Sequence, residues 1–192
     1  MNKNFCSKCG LKLSTQDIYC SNCGYKLNVD LSTKIRGKLN FFLQKKPIYI
    51  DTETTGVGYK DEIVDIAIID FDGAILLDSL VKPTINIPYE ASNIHGISND
   101  MVTNAPKWDE LWPKINKIFQ DRFIGIYNAD FDIRLMQQTQ NKYGVWSQSY
   151  REHFCIMLLF ADYFGDWDDY HQNNNWKKLE FAGKYFNINI KN

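Results

Sequence analysis

Asp51-Thr52-Glu53-Thr54-Thr55-Gly56 follows directly on the apolar run Pro47-Ile48-Tyr49-Ile50. That run has the composition of a central strand, and Gly56 with Gly58 ends it. Side chains alternate along a strand, so Asp51 and Glu53 share one face and Thr52 takes the other. Two carboxylates side by side at the exposed end of a buried strand repel each other. Such an oxygen-rich pair suits Mg²⁺ or Mn²⁺ between its members. The alternative is two solvated acids in a turn, and the apolar character of residues 47–50 argues against it.

A second constellation lies downstream. Arg122-Phe123-Ile124-Gly125-Ile126-Tyr127 reads as another buried strand, followed by Asn128-Ala129-Asp130-Phe131-Asp132-Ile133-Arg134-Leu135. From Asp130 onward Phe131, Leu135 and Met136 recur with helical period, which places Asp132 in the first turn of a helix. A carboxylate there is favoured by the helix dipole and can point back over the strand ends. Asp130 reads as the helix cap or a solvated first-turn residue, and Asp132 as the metal-facing acid.

Asp51–Gly56, then Asn93-Ile94-His95-Gly96-Ile97, then Tyr127–Asp132 resemble the first and second exonuclease motifs of the DEDD superfamily. Their order and spacing are similar to its proofreading branch, typified by the epsilon subunit of bacterial DNA polymerase III. The likeness runs on through Cys155–Phe160 and Trp176–Ala182, and so covers nearly everything from Pro47 onward. The resemblance implies an α/β, ribonuclease H-like mixed sheet flanked by helices. It also implies a 3′→5′ exonuclease that uses two Mg²⁺ or Mn²⁺ ions, one activating the attacking water and one stabilising the leaving 3′ oxygen. On this likeness Asp51 touches both metals, Glu53 holds one and contacts the 3′-terminal nucleotide, and Asp132 supports the other through water. Thr54, Thr55, His95 and Asn128 fall at substrate-contacting positions. For His95, ordering the turn before Gly96 is an equally good reading. Single-stranded 3′ ends of nucleic acid are the expected partner, DNA rather than RNA, in proofreading or repair.

The chain departs from that pattern in one respect. The superfamily's third motif, His-x-x-x-x-Asp, supplies a general base and a fourth carboxylate. Of the three histidines, His153 has Leu158 five residues on, His171 has Trp176, and only His95, with Asp100, has the spacing, in the wrong segment. Truncation after Asn192 is the preferred explanation, because the first and second motifs are intact. A degenerate relative that binds ends without cutting, or a motif supplied by another chain, are the alternatives. The 192 residues alone are expected to show little or no activity.

Cys6-Ser7-Lys8-Cys9-Gly10 and Cys20-Ser21-Asn22-Cys23-Gly24 are two Cys-x-x-Cys-Gly knuckles. Four thiolates at this spacing close a tetrahedral Zn²⁺ site, and the glycines permit the tight turns around it. With no signal peptide, disulfides are not expected, and a redox Cys-x-x-Cys does not usually come in duplicate. Residues 1–28 are therefore expected to form a minimal zinc ribbon on one structural Zn²⁺, since so short a segment has no core of its own. Cys155 lies in an apolar run and reads as a core residue.

Residues 29–46 read as an amphipathic linker helix with Ile35, Leu39, Phe42 and Leu43 on one face, leaving 47–192 as the exonuclease domain. Glu62–Phe71 and Ala74–Val81 are expected strands joined by an Asp72-Gly73 turn and paired antiparallel with the first strand. Helices are expected over Trp108–Phe119, Cys155–Tyr163 and Trp176–Phe186. No apolar run approaches a membrane span, so a soluble, cytoplasmic protein without membrane contact is expected. With 11 Tyr, 12 Phe and 5 Trp the core is aromatic-rich, and no spacing singles out a base-stacking ring.

The net charge of −1 hides an asymmetry: residues 1–46 carry a net of +7 and residues 47–192 a net of −8. Zinc on four thiolates lowers the first figure to +5. A basic appendage can attract nucleic acid to an acidic catalytic body, or its lysines can simply solvate a linker. Besides the nuclease, a non-catalytic end-binding protein and a module docking a polymerase or other protein through the ribbon stay open.

Overall fold

The computed structural model describes residues 5–6, 8–12, 20–25, 31–145, 150 and 152–188. In chain order the elements are α1 (Leu31–Gln44), β1 (Ile48–Thr54), β2 (Ile63–Ile69), β3 (Ile75–Leu80), α2 (Tyr89–His95), α3 (Asn99–Val102) and α4 (Trp108–Phe119). Then come β4 (Ile124–Ile126), α5 (Ala129–Tyr143), β5 (His153–Cys155), α6 (Ile156–Phe164), β6 (Trp167–Asp168), β7 (Asn173–Asn174) and α7 (Leu179–Tyr185). The expected boundary between residues 28 and 29 and the ribbon's 13–19 loop lie outside the described residues.

A five-stranded mixed sheet, in the order β3-β2-β1-β4-β5, organises the body. β1 pairs antiparallel with β2 and parallel with β4, which is why the strand with the paired acids is the central one. β2 and β3 form the expected hairpin: Asp70 N–H bonds the Ala74 carbonyl, and Gly73 takes φ 88°, a conformation glycine adopts without cost. Ile48, Ile50, Ile66, Ile68, Ile124 and Ile126 are buried, and α4 and α5 cover them with Trp108, Ile115, Phe119, Leu135 and Met136. Each such side chain contributes roughly 1.5–3 kcal/mol of burial, enough to fix the strand ends rigidly under the acids.

Gly125 is needed where it stands. Its Cα partners are Tyr49 on β1 and Phe154 on β5, and a Cβ there would lie 2.8 Å from the Phe154 ring and 2.9 Å from the Tyr49 ring. Phe154 is in turn stacked on Phe42 of α1 at 4.3 Å between centroids, so the aromatic layer cannot give way freely. α1 is tied to α6 as well, by Lys38–Asp162 at 3.1 Å. Gly125→Val is expected to cost roughly 1–3 kcal/mol by overpacking, seen as a lower urea midpoint with an unchanged m-value. An unaltered midpoint would show that the rings move aside.

Several elements differ from expectation. α7 begins at Leu179 rather than Trp176, and His153–Cys155 forms the edge strand β5, taking Cys155 from the expected helix. β5 is three residues long and parallel to β4, so only the crossover through α5 brings it to the sheet. The short helices α2 and α3 and the β6–β7 ribbon carry too little periodicity to announce themselves. No helix among the described residues is long and apolar enough to cross a membrane.

Candidate active site

β1 delivers its acids at the end of the sheet where α5 begins. Asp51 lies opposite Ala67 and Glu53 opposite Asp65 on β2, while Asp78 on β3 lies opposite Ala67. Directly opposed residues of antiparallel strands share a face, so Asp51, Glu53, Asp65 and Asp78 form one acidic sheet surface. The alternation in Val64-Asp65-Ile66-Ala67 carried the signal for Asp65; only the register against Glu53 was lacking.

Asp132 arrives from the other side. Asn128 initiates α5 in the left-handed region, at φ 66° and ψ 52°. It, rather than Asp130, is the N-cap, and Asp130 is an exposed residue of the first turn. The tight turn sends Asp132 inward, where it is 3% exposed and accepts a 2.7 Å hydrogen bond at Oδ1 from the Thr52 hydroxyl. Thr52 does point away from Asp51 and Glu53, and there it meets the third acid. Thr52 was missed as a functional residue because alternation says only which face it leaves.

No Lys or Arg among the described residues forms an ion pair with Asp51, Glu53, Asp65, Asp78 or Asp132. Their charges are accordingly poorly supported. Asp51 opens to solvent, yet surrounding protein raises its carboxyl above the usual range. Burial raises Glu53, with the charges of Asp51 and Asp65 adding to it. Asp65 is pushed up to about 6 by burial and by Asp78 and Asp51. Asp132 is pushed up to about 7 by burial, which the Thr52 hydroxyl opposes and the charge of Asp51 reinforces. Unpaired carboxylate oxygens of this kind are a donor set for a hard divalent cation. Among the described residues, the four cysteines are the one group of three or more metal-ligating side chains gathered closely around a common point.

The remaining candidates surround this centre in different ways. Thr54 Oγ1 donates to the Gly56 carbonyl at 2.8 Å, and Thr55 Oγ1 donates to Asp61 at 2.7 Å and accepts from the Glu62 N–H, so both hydroxyls are engaged in their own loop. His95 accepts at Nδ1 from the Ile97 N–H, leaving Nε2 to donate to the Thr54 carbonyl at 3.2 Å. Nε2 thus ties α2 to the strand carrying the acids, while Nδ1 orders the turn after Gly96. Asn128 is exposed at the mouth of α5. His153 pairs with Ile124, which in turn pairs with Ile48, at the opposite end of the sheet from Asp51. His171 bonds Asp168 at 2.7 Å on the exposed β6–β7 turn.

Cys6, Cys9, Cys20 and Cys23 are free thiols with all four sulfurs within 4.8 Å of one another. Cys6–Cys23 is 3.7 Å and Cys9–Cys20 is 3.3 Å between sulfurs. The edge of a tetrahedron with about 2.3 Å metal–sulfur bonds is close to this, about 3.8 Å. The two knuckles are built alike: Gly10 and Gly24 donate to the carbonyls of Cys6 and Cys20, each at 2.8 Å, with φ 74° and 66°. Cys6 and Cys20 are buried, and among the described residues of the segment they are the buried cluster, with Cys23 packed against them.

The sequence profile of the exonuclease family, RNase T, matches residues 48–185. The chain belongs to the exonuclease family. It is 39% identical over 154 residues to the uncharacterized exonuclease CP81 of Escherichia phage 186, covering 78% of this chain and 79% of that protein. The DNA polymerase III epsilon subunit of Treponema pallidum is 30% identical over 90 residues, which span 45% of this chain and 42% of the subunit. Among solved structures, exonuclease X in complex with 5′ overhanging duplex DNA superposes with a TM-score of 0.56 at 25% identity, over 75% of each chain. Product-bound exonuclease I gives 0.61 at 17% identity, over 76% of this exonuclease and 39% of its own chain, a likeness of fold. The mixed α/β, ribonuclease H-like architecture and the hydrolytic exonuclease class follow from these matches.

Proposed function

We propose that this exonuclease removes nucleotides from the 3′ end of single-stranded nucleic acid, DNA rather than RNA, with Asp51, Glu53 and Asp132 as its metal ligands. The observation that carries the reading is the set of acids at the end of β1, none of them ion-paired among the described residues. Divalent ions held by these residues would supply a hydroxide nucleophile and charge stabilisation for the leaving oxygen. Asp51 and Glu53 hold their oxygens on one sheet face, and Thr52 fixes Asp132 across the strand. His95 sets the height of α2 over Thr54, and Asn128 stands where a terminal nucleotide would enter.

The experiment is product-length analysis of 5′-labelled single-stranded DNA with Mn²⁺ or Mg²⁺. A chain carrying a His-x-x-x-x-Asp segment after Asn192 is expected to shorten the label one nucleotide at a time, with duplex DNA and RNA as poorer substrates. The 192-residue chain is expected to be slower by roughly 10²–10⁴-fold, the worth of a positioned base. Endonucleolytic products would overturn the reading. The engagement of all three histidines elsewhere favours a second reading, an end-binding protein that does not cut; it predicts no turnover in either form.

For the N-terminal segment we propose one structural Zn²⁺ on Cys6, Cys9, Cys20 and Cys23, with the flanking basic residues drawing in nucleic acid. Docking of a polymerase or another protein is the alternative use of the ribbon. Protein purified under reducing conditions should contain about one zinc per chain. Replacing Cys6 and Cys23 by Ser should release it while the main thermal transition stays in place. Metal analysis finding no zinc would remove this assignment.

A further inference from the structure

The loop that leaves β1 at Gly56 carries a construction the acids themselves do not require. Tyr59, near its tip, is 88% exposed. Beneath it the Arg134 guanidinium lies 5.6 Å from the Tyr59 ring centre and 5.5 Å from that of Phe131. Arg134 also donates to the Val57 carbonyl at 3.1 Å and to Gln138 at 2.7 Å, and Gln138 donates to the carbonyls of Gly58 and Asp61. From within the loop, Asp61 accepts from the Gly58 N–H at 2.6 Å and from Thr55 at 2.7 Å. Gly56 admits no Cβ, which would lie 2.7 Å from that same carboxylate.

A solitary exposed tyrosine is ordinary and needs no explanation. This one is latched to α5 and to the motif strand, so its ring is positioned before any ligand arrives and little ordering cost remains to be met on binding. One face rests against a cation and the other is open. No carboxylate among the described residues lies within ion-pair distance of Arg134, so its charge is left for the two rings and for a phosphate. Phe131 and Arg134 flank Asp132 on the first turns of α5, which places the latch beside the acidic centre.

We propose that Tyr59, backed by Arg134, is a stacking platform for a base of the single strand whose 3′ end enters the acidic site. An open aromatic face backed by a cation accepts any base, giving grip without sequence preference. The proposal rests on the reading of the protein as a nuclease of single strands, and the test separates the two.

A single-stranded oligothymidylate with a 2-aminopurine near its 3′ end and a terminal phosphorothioate is titrated with the full chain. Binding is read by anisotropy and stacking by quenching of the 2-aminopurine. Tyr59→Leu is expected to weaken binding by roughly five- to a hundredfold, the range for one stacked base, and to abolish the quench. Tyr59→Phe should keep both. The side chain is exposed, so neither change should alter the melting temperature. If the wild type binds and Tyr59→Leu binds and quenches equally well, the platform is wrong and the nuclease reading stands. Failure of the wild type to bind the oligonucleotide would overturn both.

Discussion

Asp132→Asn is expected to raise the melting temperature of the metal-free protein at pH 8 and to erase the further rise that Mn²⁺ produces. In the folded chain burial lifts Asp132 to about 7 from an ordinary 3.8. Below about pH 4 the group is protonated folded or unfolded and favours neither state. Between about 4 and 7 the unfolded chain loses the proton while the folded chain retains it, so stability falls as pH rises. Above that window the loss has reached its full size, up to about 4 kcal/mol at 1.36 kcal/mol per unit. Asparagine removes the charge and still accepts from the Thr52 hydroxyl, so recovery of roughly 1–3 kcal/mol is expected, or about 3–10 °C. The gain should shrink as the pH is lowered toward 4. A lower melting temperature for the variant at pH 8 would show that the acid is held in a better-compensated site than its surroundings indicate.

Asp51→Ala is expected to abolish 3′→5′ digestion, by roughly 10³-fold or more, in a form carrying the His-x-x-x-x-Asp segment. Asp51 is proposed to serve both ions, so its loss weakens nucleophile activation and leaving-group stabilisation together, several kcal/mol of barrier in all. Calorimetric titration with Mn²⁺ should show binding in the parent 192-residue chain and none in the variant. The fold should not suffer, because the lost carboxylate was itself destabilised by its surroundings. Undiminished Mn²⁺ binding in Asp51→Ala would place the metals elsewhere.

Much of this arrangement was legible in the sequence because it rests on alternation and punctuation. Pro47–Ile50 followed by Asp51-x-Glu53 and Gly56 specifies a strand, a face and a stop. Cys6–Cys23 states its own geometry, since thiolate spacing and two left-handed glycines leave few ways to close. The β2–β3 hairpin was marked by Asp72-Gly73. What escaped depended on long-range pairing. β5 is an edge strand only because α5 returns the chain beside β4, and nothing local distinguishes His153–Cys155 from the apolar helix after it. Asp65 and Asp78 became part of an acidic surface only through register. The bond from Thr52 to Asp132 joins residues 80 apart, and its formation depends on a left-handed Asn128 that turns the first helical residues inward.

That bond has a consequence for the choice of ion. With Oδ1 engaged by a hydroxyl, Asp132 is biased toward offering a metal one oxygen rather than both. Calcium prefers crowded shells in which carboxylates clamp through both oxygens, whereas magnesium accepts one oxygen per carboxylate and keeps much of its water. A threonine one residue from each sheet acid would thereby bias the choice of ion by denticity, without ever touching the metal.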